Sequence, residues 1–542
     1  MQLLDRDILQ SKAMIIDGNA TSRSIMAAQL RELGVPEVRQ VSRVQDARLA
    51  LERQPHDIVL CEMDFDGGPM SGQDLLDELR REQLLPHGTA FILITGSASY
   101  AQVMEAAEST VDAYLVKPYS AAVLAQRLAQ VRQRKRELEP LYTAIRNGEI
   151  ARAAELAQQR FEARSSHWKL AAQMAAELWL RAEQPERALA IYEAVLAERA
   201  HGFARLGVAR ARLAKGEPSA ARRQLEALVA SEPGFADAHD LLARVCIEQG
   251  EFEAALASMA SAAALTPGCL VRQQHHGALA WYLGARDDAK RQLERALALG
   301  RGSKLLDAHS LALLALLRLD GRDARTLGAV VDMLTAWAAA APENARLQRL
   351  GRLASALAAL HARRDDEALA VVRELAAAAA LPEFDLEAAV FTLALWVRLP
   401  PALRDDPVFE PLLRTLALRF GVSKAATETL VGAVGDHPKA AETIRAQHAE
   451  IAQAAEQAMN HALKGRAGAA VQMLLEQGEQ SGNAKLIEMA GAVTRRYADQ
   501  IPEVEAVRER AKALQGRWCA PATHLAGVLR SARCPGGVVL RG

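Results

Sequence analysis

Five short stretches near the start of the chain carry residue types that could act together on a phosphoryl group. They are Asp17-Gly18-Asn19, Glu62, the run from Met63 through Asp64 and Asp66 to Gly72, Thr95-Gly96, and Tyr114 followed by Lys117-Pro118. Carboxylates can hold Mg²⁺, while a hydroxyl and a lysine ammonium can bind phosphoryl oxygens. An X-Pro bond can aim its lysine. Taken singly, each residue has a plainer role: Asp17 satisfying helix N–H groups, Thr95 capping a strand end, Lys117 as a solvated charge. Their order along the chain argues for a site.

That order follows the elements that must position them. Apolar runs at 13–16, 38–41, 58–61, 90–94 and 113–116 alternate with amphipathic stretches at 22–33, 44–53, 73–82, 100–108 and from 121 onward. Strands alternating with helices of this length predict a parallel α/β sheet, here (βα)5 and doubly wound. Ligands of such sheets bind at the carboxyl ends of the strands, where four of the five stretches begin.

The motifs ILITG (92–96), DAYLVKPY (112–119) and MSGQDLL (70–76) resemble the CheY-like receiver domain of two-component response regulators over residues 10–135. The resemblance implies an aspartate at the end of strand three that accepts a phosphoryl group. It further implies two acids after strand one that help bind Mg²⁺, and Thr95, Tyr114, Lys117 and Pro118 as the switch. Two departures stand out. Gly18 replaces the second acid, so Asp17 and Asp66 are the remaining metal candidates and Mg²⁺ binding is weakened. The acceptor position also has two candidates. Counting from the strand start at Asp57 gives Glu62, and counting back from Gly72 gives Asp64. Strand length is held by pairing across the sheet whereas loops tolerate insertion, which favours Glu62. A glutamate reaches one methylene farther and partly imitates a phosphoaspartate, so an atypical, permanently biased receiver is expected.

Beyond Arg136 the strand pattern stops and a repeat begins. Ala153, Ala188, Ala221, Ala255 and Ala289 recur with a period near 34, and five residues before each stands Gly148, Glu183, Gly216, Gly250 or Gly284. Pro233 and Pro267 end two of the units. Small residues are needed where antiparallel helices cross closely, and Gly closes the turn between them. This grammar resembles the tetratricopeptide repeat, which implies a protein partner held in a concave groove. Trp168, Arg205, His239, Arg272 and His276 are the groove candidates. The predicted domains are the receiver at 10–135, repeats at 136–300, further irregular helical repeats at 301–515 and a disordered tail at 516–542. The stretch 132–139 contains no Gly or Ser and predicts a stiff helical joint.

Charge and composition exclude several classes. Lys plus Arg and Asp plus Glu each total 66, so no net field favours nucleic acid. The five cysteines lack C-x-x-C spacing, and His275-His276 diverge on a helix, so no zinc site is expected. Gly300-Arg301-Gly302-Ser303-Lys304 lacks the spacing of a phosphate loop, and no hydrolase, zinc-protease or dinucleotide fingerprint occurs. No signal peptide or membrane insertion is expected, which makes the protein cytoplasmic. The expected function is a non-enzymatic response regulator of a phosphorelay, with a sensor kinase as a partner and the repeats binding protein. The alternatives are a constitutive scaffold whose receiver serves docking or homodimerisation, and a receiver that still runs Mg²⁺-dependent phosphoryl transfer.

Overall fold

The computed structural model describes residues 6–65, 70–81, 84–96, 111–198, 202–303, 305–435 and 437–519. The expected elements at 82, 83 and 100–108, together with Asp66 and the tail from 520, lie outside the described residues.

Five parallel strands form one sheet in the order β2-β1-β3-β4-β5: β1 (Lys12–Ile16), β2 (Glu37–Val41), β3 (Ile58–Glu62), β4 (Ala90–Thr95) and β5 (Ala113–Val116). The sequence order reverses between β1 and β3, which opens a crevice at their carboxyl ends. Strands β3 and β4 are apolar on both faces because helices cover both. Ile15, Leu60, Ile92 and Ile94 pack with α1 (Ala20–Glu32) and α4 (Ala121–Glu137). Met14, Val59, Phe91 and Leu93, facing the other way, pack with α2 (Val44–Arg53) and α3 (Gly72–Arg81). The strand period of two thus divides one sheet into two cores. Helix α1 starts two residues earlier than expected because Asn19 caps it through the N–H of Ser22.

The joint expected over 132–139 is two helices rather than one: α4 ends at Glu137, and the next helix begins at Glu139 after Leu138, which caps both. From there the described chain is helical hairpins. The Ala236–Gln249 and Phe252–Leu265 helices form one pair, and Leu270–Tyr282 and Arg286–Gly300 the next. The turn glycines Gly148, Gly216, Gly250 and Gly284 all have φ between +76° and +80°, a left-handed turn that explains the repeat spacing. Past residue 300 the hairpins continue with Arg322 (φ +54°) and Arg363 (φ +59°) holding the same turn. The register therefore looks degraded in sequence while its geometry persists. The last described helix, Val504–Trp518, passes the expected boundary at 515.

The Lys424–Val434 helix also reaches helices far upstream in the chain. Besides the Pro438–Leu463 helix that follows it, it packs against the Ala236–Gln249 and Leu270–Tyr282 helices, the first members of two hairpins, and against the buried Leu386–Trp396 helix. First members line the inner face of a repeat superhelix, so this helix lies inside the groove. Its Ala425, Ala426, Thr427, Thr429, Leu430, Ala433 and Val434 are all buried. Every residue of Leu386–Trp396 is buried as well, as expected for a helix covered on all sides.

Candidate functional site: the acidic pocket and the repeat groove

The pocket forms where β1, β3 and β5 end. Asp17 follows β1 and is almost fully buried. Its Oδ1 accepts from the N–H of Asn19 at 2.7 Å, and its Oδ2 accepts from Ser22 Oγ at 2.7 Å and Lys117 Nζ at 2.8 Å. Glu62 closes β3 opposite Ile94. Its Oε2 also accepts from Lys117 Nζ, and its Oε1 takes the N–H of Met63 at 3.1 Å. One ammonium therefore bridges two carboxylates from adjacent strands. Lys117 is followed by a cis bond to Pro118, which is itself exposed.

The electrostatics follow from this bridge. Burial pushes the Asp17 carboxyl up, but Lys117, Ser22 and the Asn19 N–H together outweigh it and hold Asp17 below the usual range. Burial raises Glu62, and the nearby Asp17 charge adds to it, so Glu62 lies above its ordinary value despite Lys117. Lys117 is raised because its two carboxylates overcome its partial burial. Tyr119 beside them is pushed by burial to about 12.

Glu62, rather than Asp64, is brought against Lys117; Asp64 is exposed in the loop. Thr95 is buried at the end of β4, and its carbonyl accepts the Lys117 N–H. Tyr114 is half-buried and its hydroxyl donates to Gln73 Oε1 of α3 at 3.1 Å. Sequence reasoning missed Ser22 and Arg23. Arg23 Nη1 donates to the Asp17 and Gly18 carbonyls, beside the position where the resembling family has its second acid. Ser22 was findable, since five residues after Asp17 it stands on the first turn of α1.

Among the described residues little is left to hold Mg²⁺. Both oxygens of Asp17 already accept N–H, hydroxyl or ammonium donors, and a Cβ at Gly18 would meet nothing within 4 Å, so no side chain fills that position. Among the described residues no group of three or more His, Cys, Asp or Glu converges to hold a metal ion. Asp66, the other metal candidate, lies outside the described residues.

The groove candidates fare differently from expectation. Arg272 is buried, paired with Asp237 and with Asp240 at 2.7 Å on the preceding first helix. His239 is buried with Nε2 3.0 Å from the Pro233 carbonyl, and His276 is buried 2.8 Å from Asp288. These three sit in seams between helices and present nothing to a partner. The reason is spacing: on an alanine-rich helix a long arginine reaches the acid of the neighbouring repeat. Arg205 is partly exposed but paired with Glu232, and Trp168 is partly exposed under the Arg164 guanidinium. Arg205, Arg272 and His276 thus meet acids of the array itself. Farther along, Tyr282, His309, Glu387, Arg346 and Asp307 form one network across four helices. Tyr282 Oη lies 2.9 Å from His309 Nε2, His309 Nδ1 2.9 Å from Glu387, and Arg346 bonds both acids.

The sheet order, the strand-end acids and the bridging lysine define a receiver. A family profile for the response regulator receiver domain matches residues 13–129, and profiles of the tetratricopeptide repeat match 180–245 and 212–282. The chemotaxis protein CheY-3 of Vibrio cholerae is 32% identical over 123 residues, 23% of this chain and 92% of that protein. The chemotaxis protein CheY of Pseudomonas aeruginosa is 30% identical over 123 residues, 97% of its length. The chain belongs to the response regulator receiver family through this N-terminal domain, and it continues into tetratricopeptide repeats, a helical region of the kind that binds protein. Among the described residues no helix is long and apolar enough to cross a membrane.

Proposed function

We propose that the protein is an atypical, cytoplasmic response regulator whose receiver, held in a biased state by Glu62, governs protein binding by the helical array. The observation that carries this reading is the Lys117 ammonium bridging Asp17 and Glu62. In a responsive receiver the lysine would be drawn by an incoming phosphoryl oxygen. Here a resident carboxylate already draws it, and Glu62 is poorly placed to accept a phosphoryl group itself. The output is binding, not turnover, with a sensor kinase or its equivalent as the upstream contact and a protein on the repeats.

Incubation with a labelled small phosphodonor and Mg²⁺ tests the assignment. No stable label is expected on the native protein. Label that disappears in Asp64→Asn would overturn Glu62 as the acceptor position. For the output, partner capture by the full chain should change in Glu62→Ala and Lys117→Ala; identical capture in both would favour a constitutive scaffold.

A further inference from the structure

The receiver does not touch the array only through its last helix. Helices α2 and α3 dock on the hairpin formed by Leu270–Tyr282 and Arg286–Gly300, through a buried charged cluster. Arg48 of α2, 1% exposed, lies 3.2 Å from Glu78 of α3 and 3.8 Å from Glu52. Its Nη2 donates to the carbonyl of Leu299. Glu78 is 0% exposed, and its Oε1 accepts the N–H of Leu270 at 3.0 Å. Leu270 is the first residue of its helix, and its own N-cap residue, Cys269, makes no side-chain cap bond. A receiver carboxylate therefore caps an array helix across 192 residues of sequence. Glu52 completes the contact by accepting from Ser303 Oγ at 2.6 Å.

Such a cluster is specific because it is buried. Two carboxylates and one guanidinium leave water only because each meets a partner, and a carboxylate at a helix N-terminus is favoured by the dipole and the orphan N–H. If the hairpin slid past the receiver, charges would be left buried and unpaired.

The near end of α3 rests on the pocket. The Gly72 N–H donates to the Met63 carbonyl at 2.8 Å. A Cβ on Gly72 would fall 2.1 Å from the Glu62 carbonyl oxygen and 2.9 Å from Cys61 Sγ, so the helix starts in direct contact with the end of β3. The next residue, Gln73, receives the Tyr114 hydroxyl. Both sides of the pocket thus converge on the first turn of α3. Six residues on, about 9 Å along a rigid helix, is Glu78.

We infer that α3 is the output helix of this receiver: a change at Glu62 or Tyr114 shifts α3, and Glu78 hands the shift to the N-terminus of the Leu270–Tyr282 helix. The last residue of that helix, Tyr282, is the one against which Gly432 of the groove-filling helix packs. One array helix therefore meets the receiver at one end and the occupied groove at the other. This inference rests on the reading that the receiver governs the array.

Hydrogen exchange of the full chain, read by mass spectrometry over residues 270–282 and 424–434, tests it with native protein, Glu62→Gln, Glu78→Ala and the double variant. Glu62→Gln should change exchange over 270–282 about threefold or more, and Glu78→Ala alone should speed it about fivefold. In the double variant the Glu62→Gln response should vanish. If that response survives unchanged without Glu78, α3 is not the route, although receiver control of the array stands. If Glu62→Gln changes nothing anywhere in the array, both the route and receiver control fall. Should Glu78→Ala not fold, Glu78→Gln substitutes, since it keeps the shape while removing the charge that pairs with Arg48 and caps Leu270. An attenuated Glu62→Gln response then supports the route, and an undiminished one refutes it.

Discussion

Gly432 is the position where the filling of the groove can be tested by one methyl group. A Cβ there would lie 2.2 Å from the Tyr282 carbonyl oxygen, 2.9 Å from its carbon and 3.0 Å from the Tyr282 Cα. All three are backbone atoms of a packed helix, so they cannot swing aside as a flexible side chain would. Relief needs the Lys424–Val434 helix to lift by about 1 Å, and overpacking of this kind costs roughly 1–3 kcal/mol. Lifting also strains the bond from Arg286 Nη2 to the Gly432 carbonyl, 3.1 Å long, worth about 1 kcal/mol. Against this stands the better helix propensity of alanine, about 1 kcal/mol. Gly432→Ala should therefore destabilise the groove region by roughly 1–3 kcal/mol. Gly328, on the exposed face of the Ala324–Ala340 helix, has nothing within 4 Å of its Cβ position. Gly328→Ala should stabilise by about 0.5–1 kcal/mol. A chain of several domains has no single unfolding free energy, so the readout is local hydrogen exchange over 424–434 and 324–340. The two substitutions should differ in sign. If Gly432→Ala slows exchange over 424–434 as Gly328→Ala slows it in its own helix, the helix is not seated against Tyr282 and the filled groove is refuted.

Three further outcomes follow from the charged clusters. Asp17, held below the ordinary carboxylate value, contributes stability above about pH 4 that is lost as pH falls through its lowered folded value; Asp17→Asn should remove that acid-side loss in the local opening free energy of 12–32, read by hydrogen exchange as pH falls below about 4. Burial lowers Lys135 to about 8 although Asp112 opposes it. The folded state then releases a proton that the unfolded chain keeps, so stability should rise from about pH 8 to 10, and a flat slope in Lys135→Met compared with the native protein checks it. Arg346→Met leaves Glu387 and Asp307 without their guanidinium and should lower the local opening free energy read by hydrogen exchange over 345–361 and 386–396 by about 3 kcal/mol, as removal of one partner of a buried ion pair does. Unchanged exchange there would show that the network does not hold the four helices together.

The receiver was legible because its chemistry sits at fixed places relative to strand ends. Alternation of apolar runs alone places Asp17, Glu62, Thr95 and Lys117 at the carboxyl edge of the sheet. The repeats were legible up to residue 300 for a similar reason: Gly at the left-handed turn is a one-residue requirement written in the sequence. Arg322 and Arg363 show how that legibility ends. An arginine can hold φ near +55° when packing on both sides over-determines the turn, at a cost of about 1 kcal/mol, and the letter then no longer reports the geometry.

The partner surfaces were not legible. A helix sequence shows that Arg272 or His276 lies on a given face, but not that another helix or an acid already covers that face. Amphipathicity likewise reveals Lys424–Val434 as a helix without revealing that it lies inside the groove of repeats some 150 residues upstream. Local propensity and periodicity, which act within a turn or a strand, determined the sheet, the hairpins and the pocket. Only the tertiary structure decided what lies against them. The capping of Leu270 by Glu78, the seating of Gly432 on Tyr282 and the bridge from Lys117 to two strands join residues that are far apart in the chain, and long-range contacts of that kind leave no period behind.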